Sequence, residues 1–118
     1  MKYNCVIQTA DEEEVTIMIG KTKITGFANK GLDYSSGEKV NVEIEFFGDL
    51  IIKKNEIQEE KILYNGAYSY VICGILDVDD GLIKSEINFS IDRYYLYEYG
   101  YLDKEYVEII VPRVDFYF

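Results

Sequence analysis

The side chains of this chain that are equipped for chemistry are carboxylates, thiols and phenols: 22 acidic residues, two cysteines and twelve tyrosines. Histidine is absent, which excludes the most common general base, the Ser–His triad and every histidine-ligated metal site. Cys5 and Cys73 therefore have no imidazole to activate them, and both lie in apolar, strand-like runs. The sequence also lacks the glycine-rich loops that cradle nucleotide phosphates. We expect no enzyme here, with no catalytic residue and no cofactor.

Carboxylates by themselves support two kinds of chemistry, glycoside hydrolysis and calcium binding. Hydrolysis needs two carboxyl groups about 5 to 10 Å apart, and no pair in this sequence stands in an apolar setting that would raise one pKa. The run Asp77-Val78-Asp79-Asp80-Gly81 is similar to the start of a calcium loop, but its glycine comes one position early and Asn88 occupies the twelfth position. A hairpin turn accounts for the same residues, so we predict no metal site.

Two acidic runs are candidate contacts for a basic partner. The first spans residues 11–14 and the second residues 77–80. Such runs are usually solvated turns, and the alternative is a negatively charged binding surface. If both runs lie at the same end of the molecule, they form one patch. The carboxylates assigned to this patch are Glu12, Glu13, Glu14, Asp77, Asp79 and Asp80.

A dense cluster of tyrosines is the strongest positive feature. Five tyrosines fall within eight residues: Tyr94, Tyr95, Tyr97, Tyr99 and Tyr101. Tyrosine supplies a large amphipathic contact area and is enriched at interface hot spots. Aromatic clusters that stack nucleic-acid bases add a basic groove, whereas only Arg93 is basic here and Asp92, Glu98 and Asp103 flank the cluster. Two interpretations stay open: core packing, or a contact surface for a protein or a sugar.

The elements that would position these residues are mainly strands. Apolar and polar residues alternate over 40–46, 83–91 and 114–118, the pattern of a strand with one wet face. The content of β-branched and aromatic residues predicts further strands at 3–9, 15–19, 22–28, 68–76 and 106–111. Gly20-Lys21 and Asp79-Asp80-Gly81 are typical of hairpin loops.

Three segments interrupt this strand pattern. Pro112 marks an edge, a bulge or a change of strand partner. Residues 55–63 permit a short helix that Asn55 would cap. Residues 93–101 have no clean period and fit either a helical turn or a strand covered on both faces.

The combined pattern predicts one all-β domain over residues 1–118, a small antiparallel barrel or sandwich of about six to eight strands. The order strand, acidic turn, strand, loop, strand occurs twice, which indicates possible half-motifs at 3–50 and 68–118. Residues 37–42 read Gly-Glu-Lys-Val-Asn-Val, and this short pattern after a turn resembles one common in barrels of the oligonucleotide-binding type. The resemblance implies a barrel and carries no function.

The formal net charge is −10. Such a surface repels phosphate backbones and anionic lipids and attracts basic proteins, so we expect no nucleic-acid or membrane partner. No stretch has the length of a membrane span or a signal peptide's apolar region. Two isolated cysteines are typical of buried thiols in a reducing compartment. We therefore expect a cytoplasmic protein.

The leading hypothesis for function is an acidic protein-binding module, for example an immunity or inhibitor protein that masks a basic partner. The second is a β-barrel that binds a small molecule or a carbohydrate, with tyrosines and acids lining a pocket. The third is a structural subunit or homo-oligomer that pairs through an exposed edge strand at 114–118.

Overall fold

The computed structural model describes residues 1–28 and 34–118, and within them the chain forms eleven strands and two short helical segments. Five strands close into a barrel in the order β1-β2-β3-β11-β4, with β4 pairing back to β1. The barrel strands are β1 (Lys2–Asp11), β2 (Glu14–Ile19), β3 (Thr22–Phe27), β4 (Lys39–Phe47) and β11 (Arg113–Tyr117). The prediction of a small all-β fold is confirmed. The barrel has five strands, the number found in barrels of the oligonucleotide-binding type.

The interior of the barrel is filled by its own side chains. Alternate residues of each strand point inward and are buried: Cys5, Ile7, Val15, Ile17, Ile24, Val42, Ile44, Val114 and Phe116. The barrel is tightly packed at Gly26, where an added Cβ would lie 2.6 Å from the Phe116 ring. A barrel packed in this way has a solid core.

The other six strands form a second, open sheet. Its path is β5-β10-β7-β8-β9, and β6 also pairs with β7. The strands are β5 (Ile51–Lys54), β6 (Lys61–Gly66), β7 (Ser69–Asp77), β8 (Leu82–Lys84), β9 (Asn88–Ser90) and β10 (Tyr106–Val111). One edge of β7 pairs with β10, and the other edge is shared between β6 and β8.

The two sheets share the same order of strand pairing, except that β5 joins the second sheet and β11 joins the barrel. In the barrel β1 pairs with β2 and β4, and in the second sheet β7 pairs with β8 and β10. The strand that follows β4 along the chain is β5, which pairs with β10, whereas β11 follows β10 and pairs with β4. Pro112 stands between β10 and β11, at the point where the chain leaves one sheet for the other. Common ancestry of the two half-motifs stays a prediction.

The two sheets share one core, because buried side chains of both belong to a single cluster. Phe46 of the barrel contacts Phe89 of the second sheet, with ring centroids 5.4 Å apart. The hydroxyl oxygen of Tyr70 accepts a 2.7 Å hydrogen bond from the Thr25 amide. Cys5 and Cys73 are both buried and free. No helix of the described residues is long and apolar enough to cross a membrane.

Several sequence predictions of local structure are wrong. Residues 55–63 form no helix: Asn55 accepts a side-chain hydrogen bond from the Ile57 amide in a local turn, and β6 follows. The expected strand at 83–91 is interrupted between β8 and β9. The segment 114–118 offers no free edge, because β11 pairs with β3 on one side and β4 on the other. The β3–β11 pairing is parallel, so the barrel is not purely antiparallel.

Candidate functional site

The tyrosine-rich segment, residues 93–102, is helical. It consists of α1 (Arg93–Leu96) and a 3-10 helix (Tyr97–Leu102). Asp92 caps the segment, since its carboxylate accepts a 2.9 Å hydrogen bond from the Tyr94 amide. Leu96 and Leu102 are buried and attach the segment to the core.

Exposure divides the five tyrosines into two groups. Tyr95 and Tyr99 are half-buried against the core, and the Tyr95 hydroxyl donates a hydrogen bond to the Leu50 carbonyl. Tyr94, Tyr97 and Tyr101 face solvent and are 80%, 69% and 76% exposed. The Tyr94 and Tyr97 rings are neighbours, whereas the Tyr101 ring stacks on Tyr99 at 6.5 Å. We call the three exposed residues, Tyr94, Tyr97 and Tyr101, the tyrosine face.

The second acidic turn lies beside the tyrosine-rich segment. Asp103, at the end of the segment, accepts a 2.9 Å hydrogen bond from the Val78 amide. The Gly81 carbonyl accepts a 2.8 Å hydrogen bond from the Ile91 amide, just before the segment begins. The side chains of the turn and segment that remain exposed and acidic are Asp79, Asp80, Asp92 and Glu98.

Asp77 does not belong to this exposed set, which corrects its assignment as a partner contact. It is 2% exposed. Its carboxylate accepts a 3.0 Å hydrogen bond from the Asp80 amide and lies 3.0 Å from Lys104 Nζ and 3.3 Å from Lys84 Nζ. The Asp80 hydrogen bond and the two ammonium groups lower the pKa of Asp77 to about 2. Asp77 is therefore a structural anion.

The first acidic turn lies at the other end of the second sheet. Burial raises the pKa of Tyr68, and the nearby charges of Glu13, Glu14 and Glu12 add to the shift. Tyr68 precedes β7, whereas the second acidic turn follows β7. Nine strand residues separate the two ends by about 30 Å. The condition for a single patch is therefore not met: Glu12, Glu13 and Glu14 are exposed but distant from the second acidic turn.

Sequence reasoning missed a smaller aromatic group next to the first acidic turn. Tyr64 is exposed, and the Tyr68 ring lies 5.7 Å from the Phe27 ring. Tyr64 lies on β6, and Tyr68 lies in the two-residue loop between β6 and β7, where Ala67 and Tyr68 have positive φ. The β6–β7 hairpin would have revealed this group, but the helix predicted over 55–63 overlaps the start of β6 and left the hairpin unrecognised.

A cleft of about 460 Å³ separates the barrel from the start of the tyrosine-rich segment. Its polar lining comes from Glu45 on β4, Ser90 on β9, and Asp92 and Tyr95 on the segment. Sequence reasoning did not find this cleft, because β4 and β9 are far apart in the chain. Among the described residues, no group of three or more metal-ligating side chains is present.

A comparison with protein-family models decides the membership of this chain. A family model described as Uncharacterised conserved protein UCP019853 matches residues 1–118. The chain belongs to that family. No curated protein and no solved structure gives a significant match.

Proposed function

We propose that this protein is an acidic protein-binding module that associates with a basic protein through the tyrosine face and the carboxylates around it. In its most specific form, it is an immunity or inhibitor protein that masks a basic partner. The proposal assigns no catalytic step, cofactor or metal to the chain.

The observation that carries the proposal is the exposure of the tyrosine face. Three tyrosines of this segment are each more than two-thirds exposed, and the Tyr94 and Tyr97 rings meet edge to face at 5.5 Å. Large aromatic side chains left in water on one anchored segment are typical of binding surfaces. Leu96 and Leu102 hold the segment in place, so little conformational entropy would be lost on binding.

Charge selects the class of partner. The net charge of −10 attracts a basic protein from a distance and repels nucleic acid. In barrels of the oligonucleotide-binding type, the loop between the first two strands contributes to nucleic-acid binding. Here that loop carries residues 11–14, all acidic. The two buried free thiols fit a reducing compartment, and we place the protein in the cytoplasm.

The test begins with affinity capture from cells that produce the protein, at low and at moderate salt, followed by binding kinetics with the purified partner. We expect a basic protein that is lost as salt rises. The triple variant Tyr94→Ala/Tyr97→Ala/Tyr101→Ala should raise Kd at least about a hundredfold, because hot-spot tyrosines each contribute about 1–2 kcal/mol.

Tyr117→Ala is the matched control. Tyr117 lies on β11 of the barrel and is 48% exposed, so its substitution changes the same chemistry outside the tyrosine face. We expect wild-type affinity from this variant. Equal affinities for the triple variant and the control would refute the tyrosine face as the contact surface.

The cleft favours a second candidate function, the binding of a small polar ligand such as a carbohydrate. It combines two carboxylates, a hydroxyl and an aromatic ring in a concave surface, as such sites require. Side chains fill the barrel interior, so this candidate function depends on the cleft outside the barrel. Thermal-shift titration with a panel of oligosaccharides tests it: a shift that Asp92→Ala abolishes supports the cleft, and no shift for any sugar counts against it.

A further inference from the structure

One face of the second sheet carries an apolar row that crosses four strands. Ile110 of β10 pairs with Ile51 of β5 on one side and with Val71 of β7 on the other, and Val71 pairs with Leu63 of β6. Residues directly opposite each other on paired strands point to the same face. We call this face the outer face and these four residues the apolar row.

The opposite face of the same strands is also apolar. At the next position along each strand, four isoleucines pair across β5, β10, β7 and β6. They are Ile52, Ile109, Ile72 and Ile62. These four side chains pack into the core shared with the barrel. A sheet with one wet face alternates apolar and polar residues, whereas here both faces are apolar at this level. The pattern is that of a sheet that is covered on both sides.

Both ends of the apolar row are open to solvent, and Ile110 and Val71 between them are partly exposed. Ile51 and Leu63 are 56% and 51% exposed. The connection from β5 to β6, residues 55–60, has to cross the sheet because these strands flank β10 and β7. Glu59 of this connection contacts Cys73 and Lys61, so it crosses the outer face one level beyond the apolar row. The row stays open beside it.

The charges that border the apolar row are paired. Lys53 pairs with Glu108 at 3.2 Å, and Lys61 pairs with Glu59 at 2.9 Å. Two basic and two acidic groups therefore border the row, in a chain of net charge −10. Two copies of such a chain repel each other least where these faces meet.

We propose that a second copy of this chain covers the apolar row, giving a twofold dimer in which the outer faces of the two second sheets pack together. A twofold contact places the same patch of both copies against itself, and a face that is apolar with equal numbers of paired charges is complementary to its own copy. Sheets packed face to face lie about 10 Å apart. The apolar row shares no residue with the tyrosine face, so different variants test the dimer and the proposed partner.

The experiment is sedimentation equilibrium from micromolar to submillimolar concentration, at low and at moderate salt. We expect the wild-type chain to form a dimer that strengthens as salt screens the like net charges. This is opposite to the salt response expected for a basic partner. The double variant Ile51→Lys/Leu63→Lys should raise the dimer Kd at least about tenfold, because it places charges in the contact. Tyr117→Lys, on the barrel, is the control and should dimerise like the wild type.

A wild-type chain that stays monomeric throughout this range overturns the proposal, as does a double variant that dimerises like the wild type. Assembly beyond a dimer also overturns it, because a twofold contact closes. If the double variant does not fold, the wild type still provides the test by NMR. The amide chemical shifts that change with protein concentration should be those of the apolar row. Changes centred elsewhere would contradict the proposed face.

Discussion

Asp77 holds three segments of the second sheet together. Its carboxylate accepts a hydrogen bond from the amide of Asp80 in the turn, and it pairs with Lys84 on β8 and with Lys104 just before β10. A buried carboxylate with these partners is stable only in its charged form. Its role is to fix the turn that supports the tyrosine-rich segment.

The pH dependence of stability should report this role. Because the pKa of Asp77 falls to about 2 in the fold from about 4 in the unfolded chain, its contribution is fully present above pH 4. It is lost as the pH falls from about 4 to 2. Asp77→Asn should lower the denaturation midpoint at pH 7, and the difference from wild type should disappear near pH 2.

Urea denaturation of both proteins across this pH range measures the effect. Glu56→Gln, at an exposed position, removes the same charge and should leave the midpoint almost unchanged. A difference between wild type and Asp77→Asn that does not vary from pH 7 to pH 2 would rule out the ion-paired carboxylate as its source.

At the scale of elements, β7 is the strand that organises the second sheet. It pairs with β10 along its length, and its other edge passes from β6 to β8 between Cys73 and Ile75. Gly74 lies at this change of partner. A Cβ there would stand 2.2 Å from the Lys84 carbonyl oxygen, so the backbone of the β8 end approaches closely only because Gly74 has no side chain.

Gly74→Ala should therefore destabilise the fold by about 3 kcal/mol or more, the upper range for overpacking, since backbone must move. Gly100→Ala is the matched control: a Cβ at Gly100 meets no atom within 4 Å, and the change should stay within about 0.5 kcal/mol. Urea denaturation compares the two. Similar stabilities for both variants would mean that β7 and β8 separate there without cost.

The tyrosine-rich segment shows why the sequence left its conformation open between a helical turn and a strand covered on both faces. Its solvent face uses Tyr94, Tyr97 and Tyr101, and its core face uses Tyr95 and Tyr99 with two leucines. Because the same residue type occupies both faces, hydrophobicity has no period to reveal the helix. The sequence located the cluster, and only the tertiary structure separated the exposed tyrosines from those that pack against the core.

At the scale of the whole molecule, the acidic charge is spread over both ends. The first acidic turn lies near Tyr68 at the start of β7, and the second follows the end of β7. The tyrosine face accompanies only the second turn. If the proposed partner binds at the tyrosine face, the first turn would act on it through its long-range field without a direct contact.

Because the first acidic turn lies away from the tyrosine face, a change of charge there should alter the association rate and leave the dissociation rate unchanged. The triple variant Glu12→Lys/Glu13→Lys/Glu14→Lys changes the net charge from −10 to −4, and it should slow association with the captured partner severalfold at low salt. The dissociation rate should stay as in wild type, because no contact is lost. Stopped-flow kinetics at two salt concentrations measures both rates.

The corresponding triple Gln variant, with half the change in charge, should give an intermediate association rate. An association rate unaffected by either variant would contradict electrostatic steering. A faster dissociation rate would instead place the first acidic turn inside the contact.

The sequence by itself determined the strand content, the turns at Gly20 and Gly81, the acidic surface and the lack of histidine chemistry, because these depend on residue type and on periods of two along the chain. Only the tertiary structure decided that β5 and β11 exchange sheets, that Asp77 is buried, that the two acidic turns lie apart, and that an apolar row stays uncovered. Each of these depends on contacts between residues distant in sequence. Local pattern carries no information about which distant strand supplies the partner or which face is already occupied.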